Sequence, residues 1–287
     1  MKSLREWLRF AEEKGVAIGH FNVSDSEGFK AVTEAAEELG LPVIIGVSEN
    51  ERSFLGIAEI RALVKVKQDE GRPVYLNADH TYSVEASKEA IDNKFDSVII
   101  DGAEKPFAEN ALMTKEVVSY AKANKPANGP EILVEGELGF IGQGSTLLDE
   151  IPDGVSIDTQ TLPEDAMRFV EETGVDLFAP SVGNVHGLVK TGEPKLNIKR
   201  IAEIAKAVSV PLVLHGASGN TEEEIGAAIK AGVRIVHINT ELRLAYKEGV
   251  KKSIASSDEL APYKFMAEGV EEMKKLVMKK LAVFNHG

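Results

Sequence analysis

Short apolar runs alternate with segments of helical spacing along the whole chain. Each run is rich in Val, Ile or Leu and apolar at consecutive positions, which is typical of parallel strands buried on both faces. The predicted strands are Val16–Phe21, Pro42–Val47, Val74–Ala78, Ser97–Asp101, Ile132–Glu137, Asp176–Pro180, Pro211–His215 and Arg234–Asn239. Because a segment of helical spacing follows nearly every run, the pattern predicts a chain of strand–helix units.

Each predicted helix has one apolar face. They are Ser26–Leu39, Leu55–Asp69, Val84–Lys94, Phe107–Ala123, Pro163–Thr173, Ile198–Val208, Glu222–Ala231 and Leu242–Ile254. An amphipathic helix with Leu4, Trp7, Leu8 and Ala11 on one face precedes the first unit. A further helix over Tyr263–Leu281 follows the last unit.

Eight such units predict an α/β protein with a (β/α)8 TIM barrel, extended by one N-terminal and one C-terminal helix. A barrel of this length is normally one domain, so we expect a single domain over residues 1–287. The alternative is a doubly wound open sheet. Such sheets usually carry a glycine-rich dinucleotide-binding motif after the first strand, and the sequence has no such motif there.

Charge and composition exclude several classes of function. Lys and Arg number 33 against 46 Asp and Glu, a net charge of −13, which argues against nucleic acid or an anionic membrane as a partner. The sequence has no cysteine, so a transition metal must use His, Asp or Glu. No apolar run approaches the roughly 18 residues of a membrane span, and the first residues lack a secretory signal's apolar core. We therefore expect a cytoplasmic protein.

Three histidines stand at or just after the ends of predicted strands. His80 and His186 follow the third and sixth predicted strands, and His215 is the last residue of the seventh. A lone histidine is more often structural, but the carboxyl ends of barrel strands converge on one mouth, where barrel enzymes place their chemistry. Three imidazoles with one open position are a common zinc site in catalysis. The sequence therefore predicts a catalytic metal site.

Glycine turns in the second half of the chain suggest a phosphate site. Gly183 and Gly187 bracket one turn, and Gly216 and Gly219 bracket another. Backbone amides in such turns can bind anions, and barrels often hold phosphate at these strands. Lys190 could add a cation from the same loop. The loops at 138–162 and 181–197 are longer than usual, which is typical of functional loops.

The chain resembles the class II, metal-dependent fructose-bisphosphate aldolase family. The resemblance extends from Phe21-Asn22 to the ELRLAY run at Glu241–Tyr246. Its most specific pieces are Asp79-His80, VEGELG at Val134–Gly139, GNVHG at Gly183–Gly187, LHGASG at Leu214–Gly219 and INTE at Ile238–Glu241.

The resemblance implies roles for individual residues. It implies that His80, His186 and His215 hold one catalytic Zn²⁺ and that Asp79 handles the proton on the C4 oxygen of the substrate. The implied substrate- and phosphate-binding residues are Asn22, Ser48, Gly187, Lys190, Gly216, Ser218, Asn239 and Thr240. A monovalent cation, Na⁺ or K⁺, is expected at backbone carbonyls around Val185, Gly187 and Gly216.

The sequence departs from the family pattern at three places. The run Gly142–Ser145 stands where the family has a glutamate that moves the C1 proton, and the nearest acids are Asp149 and Glu150. His237 replaces a common asparagine, and Asn77 replaces a common histidine. His237 and Glu150 are therefore both candidates for proton transfer.

The implied activity is reversible aldol cleavage of a ketose bisphosphate, with fructose 1,6-bisphosphate as the first candidate. Its products would be dihydroxyacetone phosphate and glyceraldehyde 3-phosphate, as in glycolysis and gluconeogenesis. The alternatives are an aldolase for tagatose bisphosphate or a related sugar phosphate, and a catalytically weak family member that binds metal and sugar phosphate. We expect a homodimer or a homotetramer.

Overall fold

The computed structural model describes residues 1–125, 129–142, 144–191 and 195–286. Within them, eight parallel strands close into a barrel in the order β1-β8-β7-β6-β5-β4-β3-β2, as the sequence predicts. The strands are β1 (Ile18–Asn22), β2 (Val43–Val47), β3 (Val74–Thr81), β4 (Ser97–Ile100), β5 (Leu133–Leu138), β6 (Leu177–Pro180), β7 (Leu212–Leu214) and β8 (Val233–Ile238). Outside the barrel, Leu147–Leu148 pairs with Leu188–Val189 as a two-stranded parallel ladder.

Helices surround the barrel. They are α1 (Leu4–Lys14), α2 (Ser26–Leu39), α3 (Glu49–Leu55), α4 (Ile57–Asp69), α5 (Val84–Asp92), α6 (Phe107–Ala123), α7 (Pro163–Thr173), α8 (Ile198–Ala207), α9 (Glu222–Ala231), α10 (Thr240–Ser256), α11 (Pro262–Phe265) and α12 (Ala267–His286). Among these helices, none combines the length and the apolar character that crossing a membrane would require.

Two of the predicted helices differ from the observed ones. The helix expected over Leu55–Asp69 is α4 alone, because the chain breaks at Gly56, whose φ is 94°, and α3 precedes it. The pattern missed α3, whose sequence ENERSFL is mostly polar. The helix expected over Tyr263–Leu281 is divided into α11 and α12, and α12 runs on to His286.

The barrel interior changes from apolar to polar along the strands. An apolar cluster joins α1 to the inward side chains at the amino ends of the strands: Leu4, Leu8, Ala11, Ile18, Ile44, Tyr75, Leu133, Leu177, Ala179, Val213 and Ile235. Side chains alternate between the two faces of a strand, so the residue two positions later also points inward. On five strands that next residue is polar and buried: His20, Asn77, Glu135, His215 and His237. Helix α1 thus closes the amino end, and the polar side chains face the other end.

β1 closes the barrel by pairing with both β2 and β8. In this register His20 lies opposite His237, and their rings stack with centroids 3.4 Å apart and an interplanar angle of 4°. Gly46 of β2 makes room for this stack, since a Cβ there would lie 2.0 Å from Cε1 of His20. On the outside of β1, Phe21 packs against Phe284 of α12.

We predict that Gly46→Ala lowers the free energy of unfolding by about 1–3 kcal/mol, because the added methyl group displaces the His20 ring. In a His20→Ala background the same substitution should cost less than about 0.5 kcal/mol, because the ring is gone. Urea unfolding of the four proteins in this cycle measures both costs. Equal costs in the two backgrounds would show that the ring does not limit this position.

Candidate active site

His80, His186 and His215 converge at the carboxyl end of the barrel. One ring nitrogen from each lies within 4.8 Å of the other two. His80 follows Asp79 near the end of β3, His186 lies in the loop after β6, and His215 directly follows β7. The closest approach is 3.2 Å, between Nε2 of His80 and Nδ1 of His215.

The opposite nitrogen of each ring is held by a separate group. Nδ1 of His80 lies 2.8 Å from Oδ2 of Asp101, and Nδ1 of His186 lies 3.1 Å from the carbonyl oxygen of Gly142. Nε2 of His215 lies 2.7 Å from Oε1 of Glu135. Metal-binding histidines are usually oriented in this way by a carboxylate or a carbonyl.

This donor set fits a divalent metal ion. A tetrahedral ion bound at about 2.0–2.1 Å holds its nitrogen ligands roughly 3.4 Å apart, close to the spacing of the His80 and His215 nitrogens. The described residues place imidazoles and carboxylates here, and such donors suit a borderline metal better than a soft one.

The backbone at His80 adopts an unusual conformation. Its φ is 35°, in the left-handed region that side chains with a Cβ rarely occupy, and the β3–β4 register shifts between Ala78 and Thr81. Buried Arg52 holds both neighbours of His80: Nη1 donates to the carbonyl oxygen of Asp79 at 3.3 Å, and Nη2 donates to Oγ1 of Thr81 at 3.0 Å. Arg52 therefore fixes the direction in which the His80 ring points.

The histidines differ in protonation. Burial lowers the pKa of His186 to about 4 and the pKa of His215 well below its ordinary value, so both rings are neutral. Burial also opposes charge on His80, but Asp79 and the hydrogen bond to Asp101 raise its pKa to about 10. A metal ion at Nε2 would compete with that proton.

Asp79 is an ionised carboxylate at the cleft floor. Burial alone would raise its pKa, but His80, His237 and His20 together hold the pKa of Asp79 well below its usual range. Asn22 donates to its Oδ2 at 2.8 Å, whereas Oδ1 is buried with no hydrogen-bond partner among the residues that the structure describes. This free oxygen can accept a proton or a hydrogen bond from a bound molecule.

Glu135 and Glu137 are two buried carboxyl groups on β5 beside the histidine cluster. Burial, with nearby acids, raises the pKa of both carboxyl groups well above their usual range. Glu135 contacts His215, and Oε2 of Glu137 lies 4.0 Å from Nδ1 of His80. Both carboxyl groups therefore lie beside rings of the histidine cluster.

His237 is buried and lines the cleft. It lies between the rings of His20 and His215, and its Nδ1 lies 3.5 Å from Oδ1 of Asp79. Burial and the neighbouring His20 lower the pKa of His237 to about 3. The ring is therefore neutral in the described structure, and it can exchange hydrogen bonds with a ligand or with Asp79.

Most of the predicted site residues line one cleft of about 320 Å³. The cleft contains Asn22, Ser48, Asp79, His80, His186, Gly187, His215, Gly216, Ser218, His237, Asn239 and Thr240. A second cleft of about 830 Å³ shares Tyr82, Gly144 and His186 with it and continues along Asp101 and Glu137.

Three predicted residues lie apart from this cleft lining. Lys190 forms an ion pair with Asp149 at 2.9 Å, and its side chain is more than half exposed. Glu150, which follows Asp149 in the chain, is also exposed. The ladder between Leu147–Leu148 and Leu188–Val189 fixes these loop segments outside the cleft. Val185 is buried, and its carbonyl oxygen would lie 2.6 Å from a Cβ on Gly216, so its backbone borders the glycine turn. Gln143, part of the unusual loop run, lies outside the described residues.

The sequence pattern does not indicate three charged residues at the cleft: Glu49 and Arg243 line it, and Glu51 is buried next to them. Glu51 lies beneath the lining and accepts from the backbone N–H of Ser48 at 2.8 Å and from Asn22 at 2.9 Å. Arg243 of α10 lines the cleft and donates to Oε1 of Glu51 at 2.6 Å. The Ser48-x-x-Glu51 spacing was a readable helix-capping signal, but the partner of Arg243 could not be read from the sequence.

The glycine turn after β7 is tied to the last helix. The backbone N–H of Gly219 donates to Oε1 of Glu241 at 2.8 Å. Lys280 of α12 donates to Oε2 of the same carboxylate in an ion pair of 2.8 Å. Asn239 and Thr240 open α10 beside this turn, so the amino end of a long helix also faces this part of the cleft.

A histidine cluster at the carboxyl end of a closed (β/α)8 barrel is the arrangement of a barrel enzyme. The sequence matches the family model for fructose-bisphosphate aldolase class-II over residues 2–287, and the chain belongs to this family. The protein is therefore an aldolase by family, a carbon–carbon lyase.

Curated relatives align over nearly the whole chain. A probable fructose-bisphosphate aldolase from Bacillus subtilis is 37% identical over 287 aligned positions, covering 98% of this chain and 96% of the relative. A 6-phospho-5-dehydro-2-deoxy-D-gluconate aldolase from Bacillus licheniformis is also 37% identical, covering 98% of this chain and 94% of the relative.

The fold is also that of a solved aldolase. The crystal structure of the YdjI aldolase from Escherichia coli K12 matches with a TM-score of 0.82 and 31% identity, covering 98% of this chain and 96% of that one. The barrel architecture and the family assignment therefore agree.

We predict that Arg52→Gln lowers the free energy of unfolding by about 2–3 kcal/mol, because buried acceptors at Asp79 and Thr81 lose a charged donor. Affinity for a divalent metal ion should fall as well, because His80 is no longer held in place. Urea unfolding and calorimetric metal titration measure the two effects. The control is Lys65→Gln in the exposed pair with Asp69, which should change stability by less than about 0.5 kcal/mol. Undiminished metal affinity in Arg52→Gln would contradict the role in orienting His80.

Proposed function

We propose that the protein is a zinc-dependent aldolase that reversibly cleaves a ketose bisphosphate, with fructose 1,6-bisphosphate as the preferred substrate. The observation that carries the proposal is the meeting of three imidazole nitrogens and the free Oδ1 of Asp79 in one cleft. The products would be dihydroxyacetone phosphate and glyceraldehyde 3-phosphate.

The proposed zinc ligands are His80, His186 and His215. Zinc held there would supply Lewis-acid stabilisation of the negative charge that develops beside a ketone when the carbon–carbon bond breaks. The chain's own contribution is to hold three ring nitrogens toward one point, through Asp101, Glu135 and the carbonyl oxygen of Gly142.

Asp79 is the proposed base for the C4 hydroxyl group. In cleavage, the proton of the C4 hydroxyl group moves to Oδ1 as the C3–C4 bond breaks and C4 becomes the aldehyde carbon. The electron pair of that bond stays with the dihydroxyacetone phosphate half. The lowered pKa of Asp79 keeps its carboxyl group ionised. Asn22 holds Oδ2 by a hydrogen bond, so Oδ1 is oriented to accept the proton.

The second proton step returns a proton to the carbon that becomes C1 of dihydroxyacetone phosphate. His237 and Glu150 are the two proposed carriers. His237 lies in the cleft beside Asp79, whereas Glu150 is exposed and must approach with its loop. The position of His237 favours direct contact with substrate, while its lowered pKa makes it a weak base.

One phosphate group is proposed to bind at the glycine turns. The candidate donors are backbone N–H groups, hydroxyl groups and a side-chain amide of Gly187, Gly216, Ser218, Asn239 and Thr240. The amino end of α10 adds a favourable dipole. Lys190 would join them only by leaving Asp149. Carbonyls around Val185, Gly187 and Gly216 are the proposed monovalent cation ligands, for Na⁺ or K⁺. Asn22 and Ser48 line the remaining side of the cleft.

A second candidate is a related phosphorylated sugar substrate. The gluconate-derivative aldolase of Bacillus licheniformis is as similar to the chain as the probable fructose-bisphosphate aldolase of Bacillus subtilis, at 37% identity each. Tagatose bisphosphate differs from fructose bisphosphate in the configuration of one carbon, and it is another candidate substrate. A weakly catalytic, metal- and sugar-phosphate-binding role is the remaining alternative.

The proposal places the enzyme in the cytoplasm as a homodimer or homotetramer. Large exposed apolar side chains on α10 and the segment after it support self-association: Ile254, Leu260 and Tyr263.

We predict that His186→Ala binds zinc far more weakly than the wild type and loses most cleavage activity. Metal analysis after gel filtration gives the zinc content, and a coupled assay gives triose phosphate release from fructose and tagatose bisphosphates. A chelator should abolish wild-type activity, and added zinc should restore it in the wild type alone. Stoichiometric zinc with normal turnover in His186→Ala would contradict the ligand assignment. Zinc binding without triose release in the wild type would support the non-catalytic alternative.

We predict that His237→Asn slows solvent exchange of the C1 proton of dihydroxyacetone phosphate by about 10²-fold or more, the scale of one acid–base group. Proton NMR in deuterated water follows the exchange. Glu150→Gln and Asp149→Asn are the matched loop variants. If exchange persists in His237→Asn but collapses in Glu150→Gln, the loop acid carries the step and His237 does not.

A further inference from the structure

Lys280 of α12 is a buried cation behind the glycine turn that follows β7. Its side chain is 9% exposed, and its Nζ lies 2.9 Å from Oε1 and 2.8 Å from Oε2 of Glu241. A lysine is rarely buried unless it is paired, because taking an ammonium group out of water is costly. Both oxygens of one carboxylate therefore share the charge of Lys280.

Glu241 connects this ion pair to the glycine turn. It lies on the first turn of α10, and its Oε1 also accepts from the backbone N–H of Gly219 at 2.8 Å. Gly219 has a φ of 90°, in the left-handed region, and ends the turn that begins at Gly216. A carboxylate thus holds the far end of the turn, and a lysine from the last helix holds the carboxylate.

The ion pair lies directly behind the cleft lining. Gly216 and Ser218 of the turn line the cleft, and so does Thr240 at the start of α10. Glu241 follows Thr240 in the chain, and Gly219 follows Ser218, so both partners of the hydrogen bond are next to lining residues. The charge of Glu241 is therefore close to any anion that binds at the turn.

A carboxylate in this position disfavours phosphate binding unless its charge is compensated. The amino end of α10 and the backbone N–H groups of the turn attract an anion, but a negative side chain on the same helix end offsets that attraction. The ammonium group of Lys280 contacts both oxygens of Glu241, so its opposite charge cancels most of the repulsion.

We propose that Lys280 is a positioning residue for the substrate phosphate: it neutralises Glu241, so that the carboxylate holds the glycine turn without repelling the phosphate group. The proposal rests on the aldolase function proposed above, with the phosphate group of dihydroxyacetone phosphate at this turn. Lys280 is buried outside the cleft lining, so it acts through Glu241 and Gly219.

The test removes the two charges separately and together, in Lys280→Met, Glu241→Gln and the double variant. Methionine keeps the length of the buried side chain, and glutamine keeps an oxygen that can accept from Gly219. Calorimetry on the zinc-loaded proteins measures Kd for dihydroxyacetone phosphate. Condensation kinetics measure kcat and the separate KM values for dihydroxyacetone phosphate and glyceraldehyde 3-phosphate.

In Lys280→Met, Kd and KM for dihydroxyacetone phosphate should rise about 10-fold or more, because an uncompensated carboxylate then faces a phosphate dianion. KM for glyceraldehyde 3-phosphate and kcat should change less than about 3-fold, because this aldehyde carries its phosphate at the opposite end of the product. The double variant should return Kd to within about 3-fold of the wild-type value, and Glu241→Gln should bind at least as tightly as the wild type. A role in shaping the turn alone predicts the opposite order, with the double variant the weakest.

Lys275→Gln is the matched control, because Lys275 is an exposed cation on the same helix, 2.9 Å from Glu272. It should leave every value unchanged. Equal losses in Lys280→Met and the double variant would overturn the assignment. If Lys280→Met does not fold, Glu241→Gln still decides, since weaker binding in that variant would overturn the assignment as well.

Direct binding separates this inference from the proposed function. Zinc-loaded wild type that binds dihydroxyacetone phosphate but condenses no aldehyde would overturn the aldolase function, and the Kd series would still support or overturn the role of Lys280. Wild type that binds no dihydroxyacetone phosphate would overturn the inference itself.

Discussion

The parallel pairing of β1 with both β2 and β8 closes the sheet, and the whole site depends on that closure. His80 lies near the end of β3, and His215 directly follows β7. Three strands separate β3 from β7 in either direction around the barrel, yet a nitrogen of His80 lies 3.2 Å from a nitrogen of His215. An open sheet of the same strands would leave these rings far apart along its edge. Closure therefore creates the histidine cluster, the cleft and the contact between His20 and His237.

The two ends of the barrel interior have different roles: the amino end stabilises the fold, and the carboxyl end holds the candidate chemical groups. Its amino end is an apolar plug that α1 completes, while its carboxyl end holds imidazoles and carboxylates with little access to water. Buried polar groups are tolerated only where they satisfy one another. Here Asn77 bonds to His20 and Ser97, Asn22 bonds to Asp79 and Glu51, and His215 bonds to Glu135, so most of these groups have partners.

Much of this arrangement follows from local sequence patterns. The eight apolar runs mark the eight barrel strands, and the histidines and glycines after them mark the mouth, because barrel strands end together. Apolar periodicity does not mark α3, whose sequence is mostly polar, and its one local signal is the Ser48-x-x-Glu51 capping spacing. Nor could local patterns show the pairing of Glu51 with Arg243, which are 192 positions apart, or the position of Glu150 outside the cleft. These features depend on tertiary contacts that leave no periodic signal.

The left-handed backbone at His80 has a consequence for how such a chain evolves. A residue with a Cβ in this region costs about 1 kcal/mol or more relative to glycine, so selection for stability alone would favour glycine at position 80. Glycine there would remove one corner of the histidine triad. An imidazole at this position, despite that cost, is what selection for ligand binding would retain and selection for stability alone would not. In a lineage that had lost that binding, position 80 would be among the first to drift toward glycine or asparagine.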